Sequence, residues 1–432
     1  MFLFLLKLFN DINNMFISLI FFAIMFNMKK ILMIIILFLI FLPISLKAYE
    51  IDNLLSKHVI VYNLDENEMI YEKNSDEITS IASLTKIMTT IVAIENIEDL
   101  KEKVLITYEM LEGIPWDASI AYLEVGDEVT YEDLLYAVML PSGADATQAL
   151  AISLTGSIQN FVNKMNEKAK ELNMLNTNFV NTTGLDADGH YSTALDILKL
   201  LKYSLENETF KKVYQTKEYN TSNGLYFRST LKYINEKLEY YYNFDYVLGS
   251  KTGNTDNAGV CLSTLSKIKG RNIITITINA PIEYRTANHL KDLNIISEAI
   301  NKDFDIIKIV EKDEILVKLK TKYAKEENII IKAPKDINKF LNIPYNKDKL
   351  KIEYNGKEVI NYNIKKGTKL GEVFIYYDDE LLDKFDYTLK EQLHFSIINF
   401  MEININYVIF IGIIFLISII IILKKLFKKR SK

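Results

Sequence analysis

The stretch Ile81–Thr90, IASLTKIMTT, sets a serine three residues ahead of a lysine, just where an apolar helical pattern begins. Leu84, Ile87, Ile91 and Ile94 fall on one helical face. Two more Ser-x-x-Lys runs occur, STLK at Ser229–Lys232 and SKIK at Ser266–Lys269. With 51 Lys and Arg residues in the chain, the spacing alone identifies nothing. Placement separates the three. On a helix, residues i and i+3 share a face, about 5–6 Å apart at Cβ. At a helix start the unpaired N–H groups and the positive dipole end disfavour an ammonium and favour a developing anion. Lys86 is so placed that it loses its proton readily and acts as base toward Ser83. STLK and SKIK lie in strand-like sequence, where alternation sends i and i+3 to opposite faces.

Two later segments complete a chemistry. MLPSGADATQ sets Ser142 on a tight loop between two helical patterns, and LGSKTGNTDNAG sets Lys251-Thr252-Gly253 at the end of a strand. Acyl transfer needs a nucleophile and a base, here Ser83 and Lys86. It needs a group that passes a proton to the leaving amine, a task for the Ser142 hydroxyl with Lys86. It also needs a cation for a terminal carboxylate, Lys251, with Thr252 as a further donor. Gly253 leaves room for a substrate backbone along the strand edge. Backbone N–H groups of Ser83 and Asn254 are the expected oxyanion hole.

Ser-x-x-Lys, a loop serine and Lys-Thr-Gly, in this order, mark the penicillin-interacting serine enzymes. SIASLTKIMTTIVAIE, LLYAVMLPSGADA, TNFVNTTGL, HYSTALD and GSKTGNTDNAGVCL resemble the low-molecular-mass penicillin-binding proteins, the serine-type D-alanyl-D-alanine carboxypeptidases. The likeness runs from about Asn53 to Asp303. It implies an α/β (α+β) domain with a mixed sheet flanked by helices. It also implies removal of the terminal D-alanine from peptidoglycan stem pentapeptides, with β-lactams as trapped substrate mimics and no cofactor. Arg285, in PIEYRTANHL, falls where the family commonly has an arginine for the substrate carboxylate. The family's middle motif usually ends in asparagine, and Ala144 stands there. Losing such a bond typically costs ~0.5–1.5 kcal/mol, so altered efficiency is expected rather than lost chemistry. Asp145 receives no role, and His190 and Asp196 read as structural. Ile81 replaces the family's usual proline, which bears on loop shape only.

Both ends are membrane-like. From Met28 the chain reads MKKILMIIILFLIFLPISLKAYE, a basic start, an apolar run and a small residue, the layout of a secretory signal. Residues 1–48 are therefore read as a signal or hydrophobic segment, with Met28 the expected true start. Near the other end, residues 405–423 form an apolar run close to the about 20 residues that span a bilayer. The tail 424–432 is basic, which places it on the cytoplasmic side and the rest of the chain outside. Net charge, −5 over 432 residues, offers nothing to nucleic acid. One cysteine, Cys261, excludes an internal disulfide. The four histidines show no metal-ligand spacing.

Strand patterns before Lys73 and after Tyr219 enclose a helical middle, so the sheet of residues 49–303 is expected from the two ends of that unit. After Asp303 come EILVKLK, NIIIKAP, LKIEYN, VINYNIK and VFIYYD, short strands with almost no helix, which predict a small all-β domain over 304–390. Residues 391–404 read as a linker to the membrane helix. Two rival functions remain at this level. A β-lactamase-like hydrolase needs a carboxylate to activate water, with only Glu206 and Glu208 nearby in sequence. A non-catalytic, membrane-anchored wall-binding protein with a dead site fits Ala144 but not the intact Ser83, Lys86, Ser142 and Lys251.

Overall fold

The computed structural model describes residues 49–238, 240–283 and 286–430, and for 425–430 the backbone only. The expected signal at 1–48 and Arg285 lie outside the described residues.

Strands β1 (His58–Asn63) and β2 (Glu68–Lys73) open the fold as a hairpin. A 3-10 turn, Ala82–Leu84, runs into helix α1 (Thr85–Asn96). Then follow β3 (Lys103–Leu105), α2 (Tyr108–Leu111), β4 (Glu128–Thr130), α3 (Tyr131–Met139), α4 (Ala144–Thr155), α5 (Ile158–Glu171), α6 (Ala194–Glu206) and α7 (Glu208–Gln215). The chain returns through β5 (Glu218–Asn220), β6 (Tyr226–Arg228) and α8 (Thr230–Lys237) to β7 (Val247–Thr255), β8 (Gly259–Ile268) and β9 (Arg271–Ala280), then α9 (Asn288–Asp303). The main sheet has the order β2-β1-β9-β8-β7, so the first hairpin and the last three strands do meet. Each of its pairings is antiparallel, where a mixed sheet was expected. The reason is connectivity: β7, β8 and β9 are joined by short turns, and tight turns link only antiparallel neighbours. β7 ends the sheet, with β8 its one strand neighbour.

Helix α1 is the axis of the helical side. Thr85 to Ala93 are all buried, as expected of a helix surrounded by protein. Its polar members satisfy themselves on backbone: Thr90 Oγ1 donates to Lys86 O (2.7 Å) and Thr89 Oγ1 to Thr182 O (2.7 Å). α3 starts at Thr130 with a capping box to Asp133, which fixes where the helix begins and hence where it delivers Ser142. α5 buries Phe161, Val162, Met165 and Ala169 and exposes Lys164 and Lys170.

STLK does not lie in a strand. Ser229 caps α8, its Oγ accepting from Lys232 N, so helical geometry does not distinguish it from Ser83. Surroundings do: Lys232 Nζ donates to Glu218 at 2.7 Å on the surface, and that carboxylate raises its pKa. An ammonium so held is no base. SKIK does end a strand, with Ser266 in β8 and Lys269 in the turn after it.

Past α9 lie three small sheets, β10 (Phe304–Val310) with β13 (Ile337–Asn342), β11 (Ile315–Lys322) with β12 (Asn328–Lys332) and β15 (Val359–Asn361), and β14 (Leu350–Gly356) with β16 (Lys369–Tyr377) and β17 (Glu380–Thr388). They share a core that includes Val310, Leu319, Ile331, Ile360, Val373 and Ile375. Contacts of Glu66 and Lys339 are among those that tie this unit to the first. Glu66, in the β1–β2 turn, accepts from Phe340 N (3.0 Å) and Arg271 Nε (3.0 Å). Lys339, on β13, pairs with Glu68 (3.0 Å) and with Glu380. The expected linker is bonded to the β unit: Leu393 joins the core, His394 O accepts from Lys325 N (2.7 Å), and Asn399 Nδ2 donates to Ala324 O (2.6 Å). Residues Ile397–Ile403 form helix α10, and α11 (Ile405–Arg430) follows. Within α11, Ile405–Lys424 has a mean hydropathy of 2.9, long and apolar enough to cross a membrane.

Candidate active site

The nucleophile turn is held in an unusual backbone. Ala82, just before Ser83, has φ +46°, a conformation that L-residues adopt at a cost. Its carbonyl accepts from Thr85 Oγ1 (2.9 Å). Thr85 Oγ1 in turn lies 2.8 Å from His190 Nε2, while His190 Nδ1 accepts from Val180 N (3.2 Å). With Nδ1 an acceptor, the ring is neutral and Nε2 is the donor. Burial pushes His190 down to about 4, which keeps it so. His190 is structural, as expected, and what it holds is the turn that presents Ser83.

Two glycines close on that turn. Gly184 has φ +81°, and a Cβ there would stand 2.0 Å from Ala82 O. At Gly253 a Cβ would meet Ala82 Cβ at 2.9 Å and Ser83 N at 3.1 Å. Gly253 thus also lets β7 press against the nucleophile turn.

Lys86 Nζ lies 2.9 Å from Ser83 Oγ and donates to Thr183 O (2.7 Å). The 3-10 to α junction places them, since i and i+3 eclipse in a 3-10 turn. Lys86 is 2% exposed. Burial lowers its pKa to about 7, against the opposing charge of Asp145. The Thr183 carbonyl is aimed by Asn181, whose Oδ1 accepts from Thr183 N (3.2 Å) and Gly184 N (2.7 Å). Sequence reasoning recognised this NTTG segment but gave it no task.

Ser142 sits at φ +64° on the α3–α4 turn and accepts from Lys251 Nζ (2.8 Å). Lys251 is fully buried and also donates to Thr252 O (2.7 Å). Burial first, and then the Lys86 charge, hold its pKa well below that of a free lysine. Lys251, expected to receive a terminal carboxylate, is placed where its amine also tethers Ser142. Thr252 Oγ1 lies 2.5 Å from Thr230 Oγ1, a partner the sequence did not announce.

Asp145 does have a task. Its carboxylate accepts from Ala121 N (2.8 Å) and Leu123 N (3.1 Å), and Ala144 N donates to Ser119 O (2.8 Å). These bonds fasten the 113–123 loop as one wall of a cleft of about 400 Å³. Ser83, Ser142, Thr252, Gly253, Asn254, Asp117, Ser119 and His289 are among its lining residues. Ala144 is 2% exposed and is not among them. Trp116, beside Asp117, is 97% exposed. Glu206 and Glu208 are exposed and are not among the lining residues, so the two carboxylates that the β-lactamase reading named are not at this cleft. Among the described residues there is no group of His, Cys, Asp or Glu able to hold a metal ion.

A buried serine–lysine pair beside a second serine–lysine pair, under the free edge of an antiparallel sheet, defines a serine acyl-transfer site. Comparison with known proteins gives the family. Residues 46–282 match the profile described as D-alanyl-D-alanine carboxypeptidase, and 304–394 that of the penicillin-binding protein 5 C-terminal domain. D-alanyl-D-alanine carboxypeptidase DacF of Bacillus subtilis (strain 168) is 30% identical over 340 residues, covering 78% of this chain and 86% of that one. The D-alanyl-D-alanine carboxypeptidase of Streptomyces sp. (strain K15) is 33% identical over 239 residues, 52% of this chain and 81% of that one. The crystal structure of penicillin-binding protein 5 from Haemophilus influenzae superposes with a TM-score of 0.57 at 20% identity, over 80% of this chain and 99% of that one, a likeness of fold. The chain belongs to the D-alanyl-D-alanine carboxypeptidase family of serine peptidases, the low-molecular-mass penicillin-binding proteins.

Proposed function

We propose that Ser83 removes the terminal D-alanine from peptidoglycan stem peptides, with the substrate lying along the free edge of β7. Ser83 Oγ attacks the carbonyl of the penultimate D-alanine and its proton passes to neutral Lys86 Nζ. The N–H groups of Ser83 and Asn254 receive the oxyanion. Collapse breaks the peptide bond, and the leaving amine takes a proton by way of the Ser142 hydroxyl, whose oxygen Lys251 holds. Water then hydrolyses the acyl-enzyme. In a β-lactam the amide that breaks lies within a ring, so the leaving nitrogen stays tethered and the acyl-enzyme persists.

The observation that carries this reading is the 2.9 Å contact between Ser83 Oγ and a buried lysine near neutrality. The test is mass spectrometry after reaction with penicillin, beside D-alanine release from a pentapeptide. The adduct is expected on Ser83, with release abolished in Ser83→Ala. An adduct elsewhere, or equal traces of D-alanine from both proteins, refutes the assignment.

The chain divides, in this reading, into a peptidase unit over 49–303, a β unit over 304–390, a connection over 391–404, a membrane helix over 405–423 and a cytoplasmic tail. The basic residues after Leu423 support that orientation, and both extracytoplasmic units would then face the wall. Protease protection of the tail in intact cells tests it.

A further inference from the structure

Trp116 is the chain's one tryptophan, and it is 97% exposed. A single exposed apolar side chain is ordinary on a protein surface. Its setting separates this one from the ordinary case. Pro115 to Ala118 form a tight turn, closed by Ala118 N donating to Pro115 O (3.1 Å). The loop behind the turn is braced, by Asp145 at Ala121 and Leu123 and by Ala144 N at Ser119 O. The next residue, Asp117, lines the catalytic cleft. The indole is therefore held in water at the mouth of the cleft, where its apolar area is unburied.

Asp117 is exposed, and among the described residues its carboxylate has no hydrogen-bond or ion-pair partner. Glu283, the other carboxylate of the described lining, accepts from Thr286 Oγ1 (3.3 Å). Lys86 and Lys251 are buried and are not part of that lining. The cleft mouth thus sets a free carboxylate beside an open aromatic face. Together they suit an organic ammonium: the carboxylate attracts it, and the indole, the best of the aromatic rings for this, takes it on its negative face. A stem peptide supplies such a cation. The residue before its two D-alanines is a diamino acid, whose side-chain amine stays free until it is used in a cross-link. We propose that Trp116 and Asp117 form a specificity subsite for that side-chain ammonium. This rests on the peptidase reading above. The two residues hold substrate and take no part in bond making. A stem whose amine is already acylated in a cross-link lacks the charge, so the subsite favours free stems over joined ones.

The experiment compares two peptides ending in L-Lys-D-Ala-D-Ala, one with the lysine amine free and one with it acetylated. Wild type is expected to favour the free amine in kcat/KM by ~3–30-fold, the range for one cation–π contact and one exposed ion pair together. The preference lies mostly in KM and shrinks as salt is raised. Trp116→Leu combined with Asp117→Asn brings the ratio to within about twofold of 1. Trp116→Phe keeps more of the preference than Trp116→Leu, because only the ring offers a cation a negative face. Both side chains are exposed, so neither change opens the core. Binding is read separately in Ser83→Ala, which cannot turn the peptide over. Emission from the single tryptophan is expected to respond to the free-amine peptide and not to the acetylated one. A wild-type ratio of 1, a ratio that the double variant leaves unchanged, or an emission response equal for the two peptides overturns the proposal. Prolonged penicillin labelling of Ser83 in the wild type separates the two readings. Absence of label there sinks the peptidase assignment, whereas label with an unchanged ratio in the variants sinks only the ammonium subsite.

Discussion

Burial brings Lys86 to about 7, and the neutral amine is the base. Below that pH the amine is protonated and cannot take the Ser83 proton; above it the amine is free. The rate of Ser83 acylation by penicillin is therefore expected to rise through about pH 7 and level off above it, read by stopped-flow labelling across pH 5–9. Asp145 opposes the shift while holding the cleft wall by backbone N–H groups. Asp145→Asn turns one acceptor into a donor that faces an N–H. Urea unfolding should show a loss of about 1–3 kcal/mol, the cost of a buried donor left unpaired. Ala144→Asn adds volume at a buried position, with about 1–3 kcal/mol lost to overpacking, while D-alanine release is kept or raised. Ser83, Lys86, Ser142 and Lys251 were legible in the sequence because chemistry fixes their types and order. Asp145 was not, because it acts through contacts made across 24 and 22 residues, and Asn181 was not, because its bonds to Thr183 N and Gly184 N depend on the shape of a local turn. Only burial and bonding single them out.

At the scale of elements, the decisive feature is the pressing of β7 on the 3-10 turn that carries Ser83. Gly253→Ala puts a methyl 2.9 Å from Ala82 Cβ and 3.1 Å from Ser83 N. The expected result is a folded protein, by circular dichroism, with penicillin acylation slowed at least tenfold, about 1.4 kcal/mol in barrier. Unchanged acylation would show that the strand can back away. The long periodic helices and the closing strands were readable because each buries one continuous face. Helices α7 and α8 were not foreseen. They have 8 residues apiece, and α8 reads TLKYINEK, whose β-branched and aromatic residues imitate a strand. Within the expected linker, Leu393 is an apolar residue in a polar stretch, and only the fold shows that it joins the core of the β unit.

On the scale of the whole molecule, the two globular units are joined through charge as well as chain. Lys339 is buried between Glu68 and Glu380, and Glu66 bonds both Phe340 N and Arg271. Lys339→Ala leaves two carboxylates facing each other without their cation. Limited proteolysis is expected to cut the variant between the units under conditions that spare wild type, with D-alanine release from a small soluble peptide unchanged. The β11–β12 turn of the β unit is bonded, through Ala324 to Asn399, to the short helix that leads into the apolar one. With that last helix seated in the bilayer, as proposed above, the β unit and the short helix bonded to it would stand between the lipid and the peptidase unit, as a spacer that sets how far from the membrane the cleft can reach.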